Sequence, residues 1–255
     1  MDWPSDPGVP ARPPTQHELP YDDGEPMESD RHYEQMHLLT DSLKLWLGAR
    51  DDWYVAGKRA VYFSLEQAKN QDFRAPDVIV VAGLEGGGRT ERLSWVAWEE
   101  GGRLPDVVIE LLSASTERED RGRKAIYERV WRAEYFTFDP FTHALEGWEL
   151  GPGGTEYVPK RRDARGDLAV ERLGMTLGVR PLDCYGLPPP SLRWILPDGT
   201  PLPTPREHME QERARAEQER ARAEQERARA EQERARADRA EAELAALREE
   251  LARRG

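Results

Sequence analysis

From Glu210 the heptapeptide EQERARA runs four times without change and is followed by DRAEAELAALREELARRG. A stretch so poor in large apolar side chains cannot enter a core, so a globule in this chain must come from the residues before it. Alanine, glutamate and arginine favour helix. Glu210 with Arg213 and Arg213 with Glu217 are spaced for ion pairs of about 0.2–0.5 kcal/mol each. A coiled coil needs apolar residues at both seam positions. Extending the Leu244, Leu247, Leu251 spacing backward puts Ala216, Ala223, Ala230 and Ala237 on one seam, but Glu219, Glu226 and Glu233 on the other. Residues 204–255 therefore read as a charged heptad-repeat helix. A single helix and a coiled coil both stay open, and homo-oligomer contacts are expected first at the leucine end.

The remaining sequence divides into a flexible leader over residues 1–18, rich in proline and acid, and one domain over residues 19–203. The start lacks the basic and apolar stretches of a signal peptide. No apolar run nears the roughly 20 residues needed to span a bilayer, so a soluble protein with no membrane partner is expected. The single cysteine, Cys184, rules out an internal disulfide, and no cysteine–histidine spacing matches structural zinc. A reducing cytoplasm is the simplest compartment. Net charge is −12, of which residues 206–255 contribute −1 through 13 basic and 14 acidic residues, leaving −11 for the head. Such a head offers no broad basic surface for binding nucleic acid by counterion release, although bound metal ions could offset its carboxylates.

In the head, Met36, Leu39, Leu43, Trp46 and Leu47 recur at three- and four-residue steps and predict an amphipathic helix over 28–47, with Ser29 or Asp30 as its cap. DWYVAGKRAVYFS predicts a strand bent at Gly57. APDVIVVAG and LPDVVIELLS are two strands that each follow a Pro-Asp pair. The connection between them, EGGGRTERLSWVAWEEGGR, reads as a loop; no Gly-Lys-Ser or Gly-Lys-Thr follows its glycines, so it is no P-loop. Thr116 and Glu119 make a capping box for a helix over 117–131, and EYFTFDP is a further strand. ALEGWELG and EYVPKR flank a Gly-Pro-Gly-Gly turn as a hairpin. Residues 163–203 are weakly patterned and read as a strand, LRWIL, with loops. The order helix, three strands, helix, strand predicts an α/β domain built on a mixed sheet.

One residue breaks the apolar pattern. Glu110 lies within Val107, Val108, Ile109, Leu111 and Leu112, and a carboxylate in such a run needs a partner. Asp106 shares its strand face, but four residues at roughly 3.3 Å each set the two backbones about 13 Å apart. If the two Pro-Asp strands pair antiparallel, Asp77 instead arrives beside Glu110, and the pair forms an oxygen site suited to Mg²⁺. Lys124, on the following helix, could bring a cation to the same end of the sheet. A metal would polarise a phosphoryl oxygen and acidify water, with the lysine orienting that water or offsetting charge. Each residue also has an ordinary role. Asp77 and Asp106 serve as turn formers before strands, Lys124 as a solvated residue paired with Asp120, and Glu110 as half of an internal salt bridge. Glu28 and His32, four apart, read as a solvated helix start that could also aim a carboxylate and an imidazole at one point.

The stretches LPYDDGEPMESDRHYEQM, APDVIVVAG, LPDVVIELLSASTEREDRGRK, EYFTFDP and LPTP with its charged tail resemble the restriction-endonuclease-like family of the PD-(D/E)xK nuclease superfamily, a group of bacterial proteins. The resemblance runs from about Leu19 through nearly the whole chain. It implies a restriction-endonuclease-like core of helix, three strands, helix and strand, with a divalent metal, Mg²⁺ or Mn²⁺, on Asp77 and Glu110. The family name suggests DNA as substrate, and nothing in the residues picks DNA over RNA. Leu112 stands where the lysine of the E-x-K motif would be; similar proteins use a lysine on the following helix, here Lys124. At RVWRAEYF, relatives have a short Gly-Val turn.

The expectation is thus a Mg-dependent endonuclease with Asp77, Glu110 and Lys124 as its catalytic set and Asp106 and Glu28 as secondary candidates. Its rival is an inactive nuclease-fold scaffold that assembles through the C-terminal helix. A further alternative makes that helix the working part and the head its anchor.

Overall fold

The computed structural model describes residues 12–21, 29–70, 72–112, 120–181 and 190–254. Glu28, the Thr116–Glu119 capping box, Cys184 and residues 1–11 lie outside them. The chain divides into two units, Met1–Thr204 and Pro205–Gly255.

The first unit opens with α1 (Asp30–Leu47), capped by Ser29, whose Oγ accepts the His32 N–H. β1 (Trp53–Gly57) and β2 (Val61–Tyr62) follow, then the short α2 (Leu65–Asn70) and β3 (Val78–Ala82). After β4 (Trp95–Val96) come β5 (Val107–Leu111), α3 (Asp120–Ile126), a π-helical turn (Tyr127–Trp131) and β6 (Glu134–Phe138). β7 (Leu145–Leu150) and β8 (Tyr157–Pro159) form the expected hairpin. Strands β1-β3-β5-β6-β7-β8 make one mixed sheet, in which only β5 and β6 run parallel. Omitting β2, α2 and β4, the order is helix, three strands, helix and strand, the restriction-endonuclease-like core in an α/β fold.

Both apolar Pro-Asp strands are inside the sheet and buried on both faces, which is why they read as continuous Val/Ile runs. Val78, Val80, Val107 and Ile109 pack with Met36, Leu39 and Leu43 of α1. Ile79, Val81 and Val108 face the other way, toward Tyr127, Trp131 and Tyr135. Glu110 follows Val108 on that second face.

Several expectations are corrected. The strand predicted through Gly57 breaks there, because Lys58 takes a left-handed φ of 42° and β2 leaves to pair in parallel with β4, inside the segment expected to be a loop. The three glycines of that segment wrap Asp51: Gly87 and Arg89 donate their N–H groups to its carboxylate, and Gly88 donates to its carbonyl. A side chain of the protein thus occupies the donors a phosphate loop would offer.

Residues 12–18, expected to be flexible, are docked. Trp98 Nε1 donates to Pro14 O, Leu93 N to Gln16 Oε1, and Arg12 pairs with Glu18. The first two anchors come from residues distant in sequence, so local composition hides them.

Residues 163–203 hold more than one strand. β9 (Leu168–Val170), β10 (Met175–Arg180) and β11 (Ser191–Ile195) form an antiparallel sheet in the order β11-β10-β9. This sheet packs on α1: Gln35 exchanges hydrogen bonds with the Leu192 main chain, and Trp194 Nε1 donates to Leu39 O. Held on two sides, α1 buries Leu38 and Ser42 as well as the predicted stripe, and leaves Trp46 40% exposed.

The second unit is α4 (Pro205–Arg254), 50 residues that begin with proline at the first helical position. From His208 onward its described side chains are exposed, and pairs such as Arg213–Glu217 at 3.3 Å have the expected spacing. Among the described residues no helix is long and apolar enough to cross a membrane.

Candidate active site

The antiparallel register of β3 and β5 pairs Val78 with Ile109, so the next pair outward is Asp77 with Glu110. Extending the neighbouring registers places Lys58 opposite Asp77, and Thr137 and then Glu146 beyond Glu110, so one polar row crosses the sheet. Asp77 and Glu110 come together as expected. Asp77 Oδ2 accepts the Leu111 N–H at 2.7 Å, and the Asp77 N–H points to Glu110 Oε2 at 3.4 Å. Each residue thus bonds to the other's strand, and the backbone itself sets their spacing.

Glu110 is only 4% exposed. Its Oε1 accepts the Tyr127 hydroxyl at 2.7 Å, while Oε2 lies 3.9 Å from an Arg123 guanidinium nitrogen. Burial, and then the charge of Asp77, pushes the Glu110 carboxyl up to about 8. Asp77 is also raised by burial, against the pull of the Leu111 N–H and of His32, Lys58 and Arg123. Burial and the Glu110 charge hold the Tyr127 phenol well above its ordinary range, so it remains a donor. Two carboxylates held this close in a poorly solvated place have more negative charge than their surroundings offset.

Lys124 sits over Trp148 of β7, its Nζ 3.4 Å from the ring centroid. That indole stacks on Tyr135, which in turn contacts Tyr127. An aromatic layer therefore runs from the helix lysine to the partner of Glu110. Arg123 is a cation beside Glu110, and Lys58 lies opposite Asp77.

Asp106 lies at the other end of β5. Its Oδ2 accepts the Ala82 N–H at 2.8 Å and its Oδ1 pairs with Arg172 at 2.5 Å. It extends the ladder and holds Arg172 of the 3-10 turn Glu171–Leu173, apart from the Asp77–Glu110 pair. Leu112, in the position of the E-x-K lysine, contributes its carbonyl, which accepts from His32 Nε2 at 3.0 Å.

His32, expected at a solvated helix start, is 3% exposed. A carbonyl only accepts, so Nε2 carries the proton shared with Leu112 O, while Nδ1 lies 2.8 Å from Ser29 Oγ. The imidazole fastens the start of α1 to the end of β5. Sequence reasoning weighed His32 with Glu28 and passed over Tyr127, Arg123 and Lys58. Only Tyr127 left a signal, three residues after Lys124 and so on a neighbouring helix face.

Oxygen donors from two carboxylates suit Mg²⁺, which is commonly held by one or two carboxylates and completes its shell with water and substrate oxygens. Among the described residues, no group of three histidine, cysteine or acidic side chains could hold a metal. The pair fits a hard cation on charge and donor type.

The profile of the Uma2 family, described as "Putative restriction endonuclease", matches residues 8–183. Among solved structures, the crystal structure of a putative nuclease belonging to DUF820 from Anabaena variabilis is similar, at 15% sequence identity and a TM-score of 0.41. The match covers 62% of this chain and 89% of that one. No curated protein matches the sequence.

Proposed function

The chain belongs to the Uma2 family, and from that membership together with the buried Asp77–Glu110 pair we propose that it is a metal-dependent endonuclease hydrolysing phosphodiester bonds in DNA. The observation that carries this reading is the placement of Glu110, raised to about 8 beside a second carboxylate, where a divalent cation would relieve both charges. Asp77 and Glu110 are the residues that would hold Mg²⁺ or Mn²⁺, each already anchored at one oxygen, Asp77 by the Leu111 N–H and Glu110 by the Tyr127 hydroxyl. When bound, such an ion polarises a phosphoryl oxygen and lowers the pKa of water.

The protein's own groups have separate parts. Arg123 lends positive charge beside the pair, where a phosphate would arrive. Lys124, displaced from the strand position to the helix, offsets charge in the transition state or orients the attacking water. His32 keeps β5 and α1 in register so that Leu111, the donor to Asp77, stays fixed.

The second reading is a nuclease-fold scaffold without activity that assembles through α4. The seating of Lys124 on Trp148 favours it, as does the −11 charge of the head. Plasmid nicking with Mg²⁺ or Mn²⁺ separates the two. Wild type is expected to nick and Glu110→Gln to lose most of that activity; equal cleavage by both removes the site assignment.

A further inference from the structure

We propose that Tyr127 is the positioning residue of the metal-holding carboxylate: its hydroxyl fixes Glu110 Oε1 and turns Oε2 toward Asp77. This deepens the site reading above and rests on it. Three observations carry it.

Glu110 has two oxygens and, inside the sheet, no water-rich side on which to satisfy them. The Tyr127 hydroxyl lies 2.7 Å from Oε1, and both residues are buried, Tyr127 to 1% exposure. The opposite oxygen faces the Asp77 N–H and Arg123. A carboxylate held at one oxygen by a fixed donor loses its freedom to rotate, and the other oxygen acquires a set direction.

The donor is itself locked. The Tyr127 ring lies 4.7 Å from the Trp131 ring and 5.3 Å from that of Tyr135. Those contacts leave the phenol little room to swing, which is what a supporting group needs if it is to hold a ligand in one orientation.

The backbone reserves the position. Tyr127 opens the π-helical turn, and its carbonyl accepts the N–H of both Arg132 and Ala133. Arg132 adopts a left-handed φ of 59°, a conformation that non-glycine residues seldom take. The π-helical turn ends the helix begun by α3, and from its first position the tyrosine reaches Glu110 of β5.

The test compares wild type, Tyr127→Phe and Glu110→Gln by calorimetric titration with Mn²⁺ in the absence of DNA, followed by cleavage rates across Mg²⁺ concentrations. Tyr62→Phe, which loses a hydroxyl of the same 2.7 Å reach to Pro20 O, is the control. Tyr127→Phe is expected to raise the Mn²⁺ Kd about tenfold or more, in the range seen for groups supporting metal ligands. The Mg²⁺ needed for half-maximal cleavage should rise alongside, with KM for DNA unchanged; Tyr62→Phe should match wild type. Unaltered Mn²⁺ affinity in Tyr127→Phe overturns the proposal while leaving the nuclease reading intact. Tight Mn²⁺ binding that Glu110→Gln and Tyr127→Phe both weaken, without any DNA cleavage, supports the positioning role and removes the nuclease. Absence of Mn²⁺ binding by wild type overturns both. Should Tyr127→Phe misfold, the tyrosine ultraviolet difference spectrum of wild type on adding Mn²⁺ replaces it, and no change overturns the proposal.

Discussion

Lys124 Nζ stands 3.4 Å from the centre of the Trp148 ring, two strands across the sheet from β5. A cation over an indole gains roughly 0.5–2 kcal/mol, enough to fix where a four-carbon side chain spends its time. If Lys124 stabilises the transition state, Lys124→Met should lower cleavage on the order of 100-fold. Trp148→Leu should lower it a few-fold to about tenfold, with Trp148→Phe between that and wild type. Steady-state rates on a plasmid substrate check this, and full activity in Lys124→Met would remove the lysine from the mechanism.

The Glu110 carboxyl, at about 8 in the folded protein against an ordinary 4.5, sets a pH dependence of stability. Between those values the folded state holds a proton that the unfolded chain gives up. Its contribution is therefore fully present at the acid end and is lost as pH rises through the folded value. Metal-free protein should melt at progressively lower temperature from about pH 5 to about pH 8, and Glu110→Gln should flatten that slope. Mg²⁺ should recover the loss at the alkaline end, and EDTA should restore it. A slope identical in the two proteins would show that Glu110 does not titrate in this range.

Asp106 and Asp77 should separate cleanly. Asp106→Asn keeps the volume but weakens the bonds to Ala82 N and Arg172, costing roughly 1–2 kcal/mol of stability. Cleavage per folded molecule should be unchanged. Asp77→Asn should do the reverse, losing activity with little thermal effect. Melting curves beside nicking rates decide the matter.

How far the sequence foretold this site follows from those two aspartates. Pro76-Asp77 and Pro105-Asp106 look alike as text, each opening an apolar strand. Only the antiparallel register, which puts Asp77 opposite Glu110, separates a site residue from a ladder anchor. Glu110 was legible because a charge in a Val/Ile run is costly. His32 was not, since its hydrogen-bond partner, the Leu112 carbonyl, is 80 residues away. β9 and β10 stayed hidden for a related reason. β9 has only three residues, too few for a pattern, and the alternation of β10 is broken up by Gly178, a residue depleted in strands that is needed here because a Cβ would fall 2.2 Å from Asp167 Oδ1. Their sheet is also what makes α1 bury more than one stripe.

Arg132 holds a left-handed conformation directly after the π-helical turn. A left-handed residue with a Cβ costs roughly 1–2 kcal/mol, and glycine returns part of that through its greater freedom when unfolded. Arg132→Gly should therefore stabilise the protein by up to about 1 kcal/mol. Denaturant unfolding measures it; a loss of stability would mean that Arg132 contributes more through its side chain than its backbone costs.

We expect any self-association to run through Leu244, Leu247 and Leu251, each more than half exposed. Replacing all three with alanine should shift sedimentation from an oligomer to a monomer. A monomer before and after the change would leave α4 as a lone helix.

At about 1.5 Å per residue the 50 residues of α4 extend for roughly 75 Å. Along that length 13 basic and 14 acidic side chains alternate so closely that opposite signs fall within a single screening distance, about 8 Å in physiological salt. From a short way off the rod is electrically silent. It neither gathers a polyanion nor repels one, so under the nuclease reading proposed above the means of drawing nucleic acid would have to be built into the acidic head, against that head's own field.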